Sequence, residues 1–434
     1  MNKLITVLAV AVSPVLLAQT GTFSGPSILT QGTNSVGQRS GQDLDLQFNI
    51  GATGFYDTGM VPFAISKGSL VQPGGLSGVE ANLGAYGRHR FRRSVLGLDY
   101  QGNFRHYNNT SAYDGSNQNL NLGYTLQKSK RIVFDMMGTA GTQTYGTAFS
   151  PGPNSIVDSG SMLFDNRTSY LQTNVDMSYL VGNSTVVTIG GTGYTVHRKA
   201  NQLASVNGYN LTGSVRRQVG RRTTVGASYT HTHYDFSGTF GEADLNSYAA
   251  IFSQDFARTW KLSLTAGVYT SAVQGTQVSA VDPVIAALLG VSAVQTIFYR
   301  ENLLPMGTIS LEKSFRRSMF SIQASRLVNS GNGLYLASRM QSWSGGYSYT
   351  GRRRWSMSLN VGQSQMSALA QQLEDYRIIT GTANLGFRLG GGVNLNAAYS
   401  RRHQDIENDI FKRDSSRISL GIFFQPGNIP ISFH

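Results

Sequence analysis

The chain has 434 residues, a formal net charge of +13, only 14% charged residues, 50 Gly, 21 Tyr, 21 Phe and no Cys. Without cysteine it has neither disulfide staples nor thiolate metal sites, which suits a compartment where free thiols would be oxidised. The basic excess is spread over many short segments, so it does not point to nucleic acid, and no uninterrupted apolar stretch reaches the ~20 residues of a membrane-spanning helix.

In chain order, residues 1–18 read as a signal peptide. Lys3 gives the positive start, Leu4 to Val12 a short apolar core, and Ser13, Pro14 and Ala18 a cleavage region, with the cut near Ala18. Residues 19–41 are rich in Gly, Ser, Thr and Gln without periodicity, and read as a flexible periplasmic tail. From 42 to 425 the chain alternates apolar and polar residues in segments of roughly ten. Leu120, Leu122, Tyr124 and Leu126 interleave with Asn119, Asn121, Gly123 and Thr125. Trp260, Leu262, Leu264 and Ala266 interleave with Lys261, Ser263 and Thr265. Trp355, Met357, Leu359 and Val361 interleave with Ser356, Ser358, Asn360 and Gly362. A period of two puts successive side chains on opposite faces of a sheet.

The pattern predicts strands near 42–56, 76–86, 94–106, 118–127, 131–145, 169–180, 185–197, 207–217, 223–234, 245–254, 259–270, 303–312, 318–326, 338–349, 354–364, 377–388, 392–401 and 416–425. Their connections alternate between tight, as at 128–130 and 389–391, and longer, with the longest at 57–75, 146–168 and 271–302. Strands of this length with short turns at one end and long loops at the other describe a transmembrane antiparallel up-and-down β-barrel. We expect about 18 strands (16–18), with short periplasmic turns and longer external loops. Residues 426–434 are then a C-terminal tail, or an extension of the edge strand through Ile429, Ile431 and Phe433 past Pro426 and Pro430.

Charge and aromatic placement follow the same beat. The tight turns carry Arg90, Arg92, Arg93, Lys128, Lys130, Arg221, Arg222, Arg316, Arg317, Arg352 and Arg353, and the long loops carry most acids, including Asp158, Asp165, Glu242, Glu374 and Glu407. Cationic turns can rest on anionic phospholipid head groups. Tyr347, Tyr349 and Trp355 flank one turn, and Phe252 and Trp260 another, as in the aromatic girdles of a membrane barrel.

The turn phrases Tyr-Thr-Gly-Arg-Arg-Arg-Trp (349–355), Phe-Ala-Arg-Thr-Trp-Lys-Leu (256–262) and Val-Gly-Arg-Arg-Thr (219–223) resemble those of large Gram-negative outer-membrane β-barrels of the porin-like kind. The resemblance covers nearly the whole mature chain as architecture. It implies an outer-membrane location and a porin-like channel, and carries over no binding residue. Barrels of this type commonly finish on an aromatic that the outer-membrane assembly machinery reads; here Phe424 is followed by ten residues.

The alternation assigns one face of each strand to the lumen. That face holds Asp99, Gln101, Asn103 and Arg105; Ser321, Gln323 and Ser325; Thr380, Thr382, Asn384 and Arg388; and Asn394, Asn396, Ser400 and Arg402. The wall is mostly neutral and hydrogen-bonding, with a few arginines, and suits polar solutes. In the longest loop Asp282 is a helix cap and Pro283 a first helical residue. Val284, Ile285, Leu288 and Leu289 make that short segment apolar all round, and we expect it to fold back and narrow the external mouth. His231 and His233 share a strand face with Asp235, where metal ligation is conceivable. That face also carries Val225, Ala227 and Tyr229 and so starts in lipid. No local spacing singles out a Ser–His–acid triad.

The reading is a porin-like outer-membrane channel for passive diffusion of small hydrophilic solutes, without cofactor or enzymatic activity. Its partners are outer-membrane lipids, the solutes and the assembly machinery. The alternatives are a structural or polysaccharide-export barrel and, below that, a lipid-active barrel enzyme.

Overall fold

The alternating segments pair edge to edge in a computed structural model. It describes residues 44–59, 64–66, 69–71, 74–108, 113–144, 167–199, 203–237, 241–256, 259–280, 293–331, 336–350, 354–369, 375–406, 411–426 and 429–431. The segments read from sequence as a signal peptide and an N-terminal tail, and the 282–289 segment, lie outside these residues.

The elements are β1 (Leu44–Asp57), β2 (Ala64–Ser66), β3 (Ser69–Val71), β4 (Leu76–Arg90), β5 (Ser94–Tyr107), β6 (Gly115–Gln127) and β7 (Ile132–Gln143). They continue with β8 (Thr168–Val181), β9 (Thr185–Arg198), β10 (Ser205–Gln218), β11 (Thr223–Ser237), β12 (Gly241–Asp255), β13 (Trp260–Ala280) and β14 (Ala293–Ser314). The last are β15 (Ser318–Asn329), β16 (Ser338–Thr350), β17 (Trp355–Ala368), β18 (Tyr376–Gly390), β19 (Val393–Ile406), β20 (Phe411–Phe424) and β21 (Ile429–Ile431). Among the described residues there is no α-helix.

Eighteen long strands, β1 and β4 to β20, form an antiparallel meander that closes on itself. Closure pairs Ile50 with Phe424 and Asp57 with Arg417. β21 continues that seam, pairing Leu44–Leu46 with Ile429–Ile431. β2 and β3 form a separate small hairpin within the first long connection. A closed sheet leaves no edge.

The connections at one end of the barrel, the turn end, are all tight, and the longest ones are at the other, the loop end. The turn 390–392 is three glycines at φ of 119°, 58° and 83°, a left-handed run that side chains with a Cβ resist. The outer face carries exposed apolar residues: Ile50 on β1, Val79 and Leu83 on β4, Leu359 and Val361 on β17, and Ile418, Leu420 and Ile422 on β20. At the turn end an outward girdle forms. Trp355 packs against Phe387 with ring centroids 4.4 Å apart and planes tilted at 48°, and Lys313 Nζ lies 4.4 Å from the Trp260 ring.

One expectation is corrected. Residues 271–280 and 293–302, read from sequence as loop, are the upper halves of β13 and β14, which reach 21 and 22 residues. The apolar alternation there is broken by polar outward residues, although Ile297, Tyr299 and Leu303 still stand outward. Val273 and Phe298 are buried inside, while Gln274 and Glu301 point outward. A strand that rises beyond an apolar belt no longer needs an apolar outer face, so the signature fades while the strand goes on.

Candidate functional site in the barrel lumen

Strand pairing fixes which side chains share the interior. Asn103 is paired with Asn82 and Arg105 with Glu80, and Asn82 and Glu80 are paired in turn with Gly51 and Thr53 on β1. The inward residues of β5 are therefore Asp99, Gln101, Asn103 and Arg105, opposite the exposed Leu96, Leu98 and Phe104. Asn103 Nδ2 donates to Asn82 Oδ1 at 2.8 Å, and Asn82 Nδ2 donates to Thr53 Oγ1 at 3.3 Å, so amides link three strands. Gln101 Nε2 donates to Asp99 Oδ1 at 3.4 Å.

Further round, Ser321, Gln323 and Ser325 pair with Gly346, Ser344 and Ser342, and the Ser325 and Ser342 hydroxyls are 2.7 Å apart. Thr380, Thr382, Asn384 and Arg388 on β18 face Arg402, Ser400, Ala398 and Asn394 on β19. Asn396 pairs with Gly386 on the same face. Asn384 Nδ2 donates to Ser358 Oγ at 3.2 Å. The fifteen named side chains thus lie on the faces of their strands opposite such exposed apolar residues as Leu98, Ile322, Leu385 and Tyr399. They do not converge on one point; they form a lining distributed over four strands.

The lining changes along the axis. Toward the turn end inward groups are half-buried or exposed, as at Asn394, Asn396, Asn360 and Arg388. Toward the loop end they are buried, and two contrasting walls face each other. On β9 to β14 the wall is apolar: Tyr194, Val196, Val206, Tyr234, Phe236, Leu245, Val273 and Phe298 pack into one cluster with Leu336 and Ala337. Across the lumen, Arg105, Arg402, Arg413 and Arg417 are all buried, and the inward carboxyls beside them among the described residues are the buried Asp57 and the half-buried Glu80.

That second wall was largely missed by sequence reasoning, which found Arg105 and Arg402 alone. Glu80 Oε1 accepts from Arg105 Nε at 2.7 Å, and Arg417 Nη2 lies 2.7 Å from the same oxygen. The Arg417 guanidinium covers the Phe55 ring at 4.0 Å. Tyr107 meets Phe55 edge-on at 5.1 Å and donates from its hydroxyl to Asp57 Oδ2 at 3.1 Å. Gln404 Nε2 donates to Tyr376 Oη at 2.6 Å. A signal did exist: carrying the period of two back from Ile418 and Leu420 puts Arg413, Ser415 and Arg417 on the inner face.

Four guanidinium groups against two carboxylates leave this section cationic. Low dielectric strengthens that field, and paired hydrogen-bonded charges tolerate the burial. The section can attract an anion and pass it along several donors. The turn-end half carries the opposite sign on part of its wall, at Asp99, Asp135 and Asp176.

His231 and His233 stand on the outer surface. His231 Nδ1 lies 3.0 Å from Asn246 Oδ1, and His233 Nδ1 lies 2.8 Å from Asp244 Oδ1. Among the described residues no three His, Asp or Glu side chains are grouped to hold a metal ion.

No family model matches the chain, and no curated protein matches it. Among solved structures it is similar to a BenF-like porin from Pseudomonas fluorescens Pf-5, at 11% identity and TM-score 0.43, covering 88% of this chain and 98% of that one. It is similar to Pseudomonas aeruginosa OpdQ at 9% identity and TM-score 0.44, covering 90% and 98%. It is also similar to Pseudomonas aeruginosa OccK2 (OpdF) at 12% identity and TM-score 0.43, covering 88% and 98%.

Proposed function

We propose that this chain is a passive channel in the outer membrane of a Gram-negative-type cell, exported by a cleaved signal peptide, that admits small hydrophilic solutes and favours anions. The observation that carries the reading is the closed eighteen-strand sheet with apolar residues outside and hydrogen-bonding residues inside. Barrels of this strand number are wide enough for an aqueous path. The anion preference rests on the four arginines of the loop-end wall, since a buried cationic section sets an electrostatic barrier to cations. The reading assigns no catalytic role.

The test is reconstitution in planar lipid bilayers. Discrete conductance steps that grow with salt concentration support a channel. A folded, inserted barrel that conducts nothing removes it.

A further inference from the structure

Between β9 and β12 the outer surface is not evenly filled. Gly213, Ala227 and Ala250 sit among Val187, Ile189 and Val215, and the missing side-chain volume leaves an apolar furrow of about 610 Å³. A Cβ added at Gly213 would meet nothing within 4 Å. The Tyr229 and Tyr248 rings, 5.1 Å apart, flank the furrow.

A hydrogen-bonded polar shelf stands at the furrow's loop end. Tyr229 Oη donates to Asn246 Oδ1 at 2.8 Å, and His231 Nδ1 meets that same oxygen at 3.0 Å. His233 Nδ1 meets Asp244 Oδ1 at 2.8 Å, and the Tyr209 ring lies 5.4 Å from the His233 ring. Asn246 Oδ1 and Asp244 are acceptors, so Nδ1 of each imidazole carries the proton. In the neutral rings Nε2, at the opposite edge, is then an acceptor. Asp235 and Glu242 add carboxylates to the same face, and the described outward residues at that end of β10 to β13 include no lysine or arginine. An acceptor-rich shelf without a cation repels phosphate and suits hydroxyl donors.

We propose that this surface holds one outer-leaflet glycolipid, an acyl chain lying in the furrow and sugar hydroxyls donating to His231, His233 and Asp244. The proposal rests on the outer-membrane reading, which turns this face to lipid. A second copy of the chain is the weaker occupant, because short side chains make the face concave and the shelf beside it is polar.

The test is native mass spectrometry of the full barrel refolded lipid-free in detergent. It is titrated with a diglucosyl diacylglycerol and, separately, with phosphatidylglycerol of the same chains. One glycolipid adduct is expected, at a concentration at least tenfold below that needed for phosphatidylglycerol. Gly213→Phe, which fills the furrow, and His231→Leu should each weaken it about tenfold. Gly381→Phe, on the outer face of β18 where an added Cβ also meets nothing, should leave it unchanged. Equal uptake of both lipids, an adduct indifferent to Gly213→Phe, or a dimer in place of the adduct overturns the proposal. Bilayer conductance of the same preparations is read in parallel, so a barrel that fails to conduct counts against the channel reading and a conducting barrel without the adduct counts against the lipid site.

Discussion

Arg417 on β20 and Glu80 on β4 are 2.7 Å apart, so their ion pair reaches across β1 and bolts the strands on either side of the barrel seam. Both side chains are nearly buried, at 10% and 11% exposure. Removing one partner of a buried pair costs about 3–5 kcal/mol, because the other charge is left uncompensated. Glu80→Gln should therefore lower the urea midpoint of the folded barrel clearly. A midpoint equal to that of the parent would show that water or another acceptor already screens Arg105 and Arg417.

The same arginines should set ion selectivity. In a tenfold KCl gradient the parent channel is expected to show an anion-selective reversal potential. Arg402→Gln and Arg413→Gln should each move it toward zero, and the double variant further. Glu80→Gln should move it the other way. Reversal potentials that ignore all three substitutions would place the selective section elsewhere in the lumen.

Leu359 and Asn360 are neighbours on β17 with opposite outlooks, one on the exposed apolar outer face and one on the inner face. A cation near the bilayer midplane costs roughly 2–4 kcal/mol. Leu359→Arg should cut folding yield into vesicles, while Asn360→Arg should fold and change conductance. Equal damage from both would mean that β17 is turned the other way or lies outside the membrane.

Gly267 on β13 has no room for a side chain, since an added Cβ would run into the carbonyl oxygen of Tyr248 on β12. Overpacking of this kind costs about 1–3 kcal/mol. Gly267→Val should lower thermal stability, whereas Gly381→Ala should not. Differential melting of the two variants in detergent is the direct comparison.

Deleting residues 282–290 tests the apolar segment read from sequence between β13 and β14. A clear rise in single-channel conductance supports its narrowing of the external mouth. Unchanged conductance from a folded barrel removes that role.

The part of the fold legible in the sequence was the part with an apolar outer face. Where a strand crosses an apolar belt, as in Trp355 to Val361, every second residue must be apolar and the period is plain. Above the belt that demand lapses. Ser271 to Ala280, Ala293 to Asn302 and Phe411 to Ser415 are strand, yet their outer faces carry Gln274, Glu301, Lys412 and Asp414, and charge there reads as loop. Parity alone puts Asp99 to Arg105 and Thr380 to Arg402 on the face opposite the apolar residues of their strands. Parity says nothing about which strands meet at closure. Arg417, Glu80 and Asp57 come together only because β20 pairs with β1, a contact that no local pattern encodes.

The seam also orders events in time. Every other ladder of the barrel joins long strands that follow one another along the chain and can form soon after both are made, but Thr58 and Ser416, whose hydroxyls are 3.0 Å apart across the seam, are separated by 358 residues. Closing so large a loop is entropically slow and contact-order limited. Until it closes, Leu44–Asp57 and Phe411–Phe424 are two long edges with unpaired backbone, each a template for another chain. The lifetime of that open sheet, and with it the protein's tendency to aggregate, is governed by how fast one ladder finds its register.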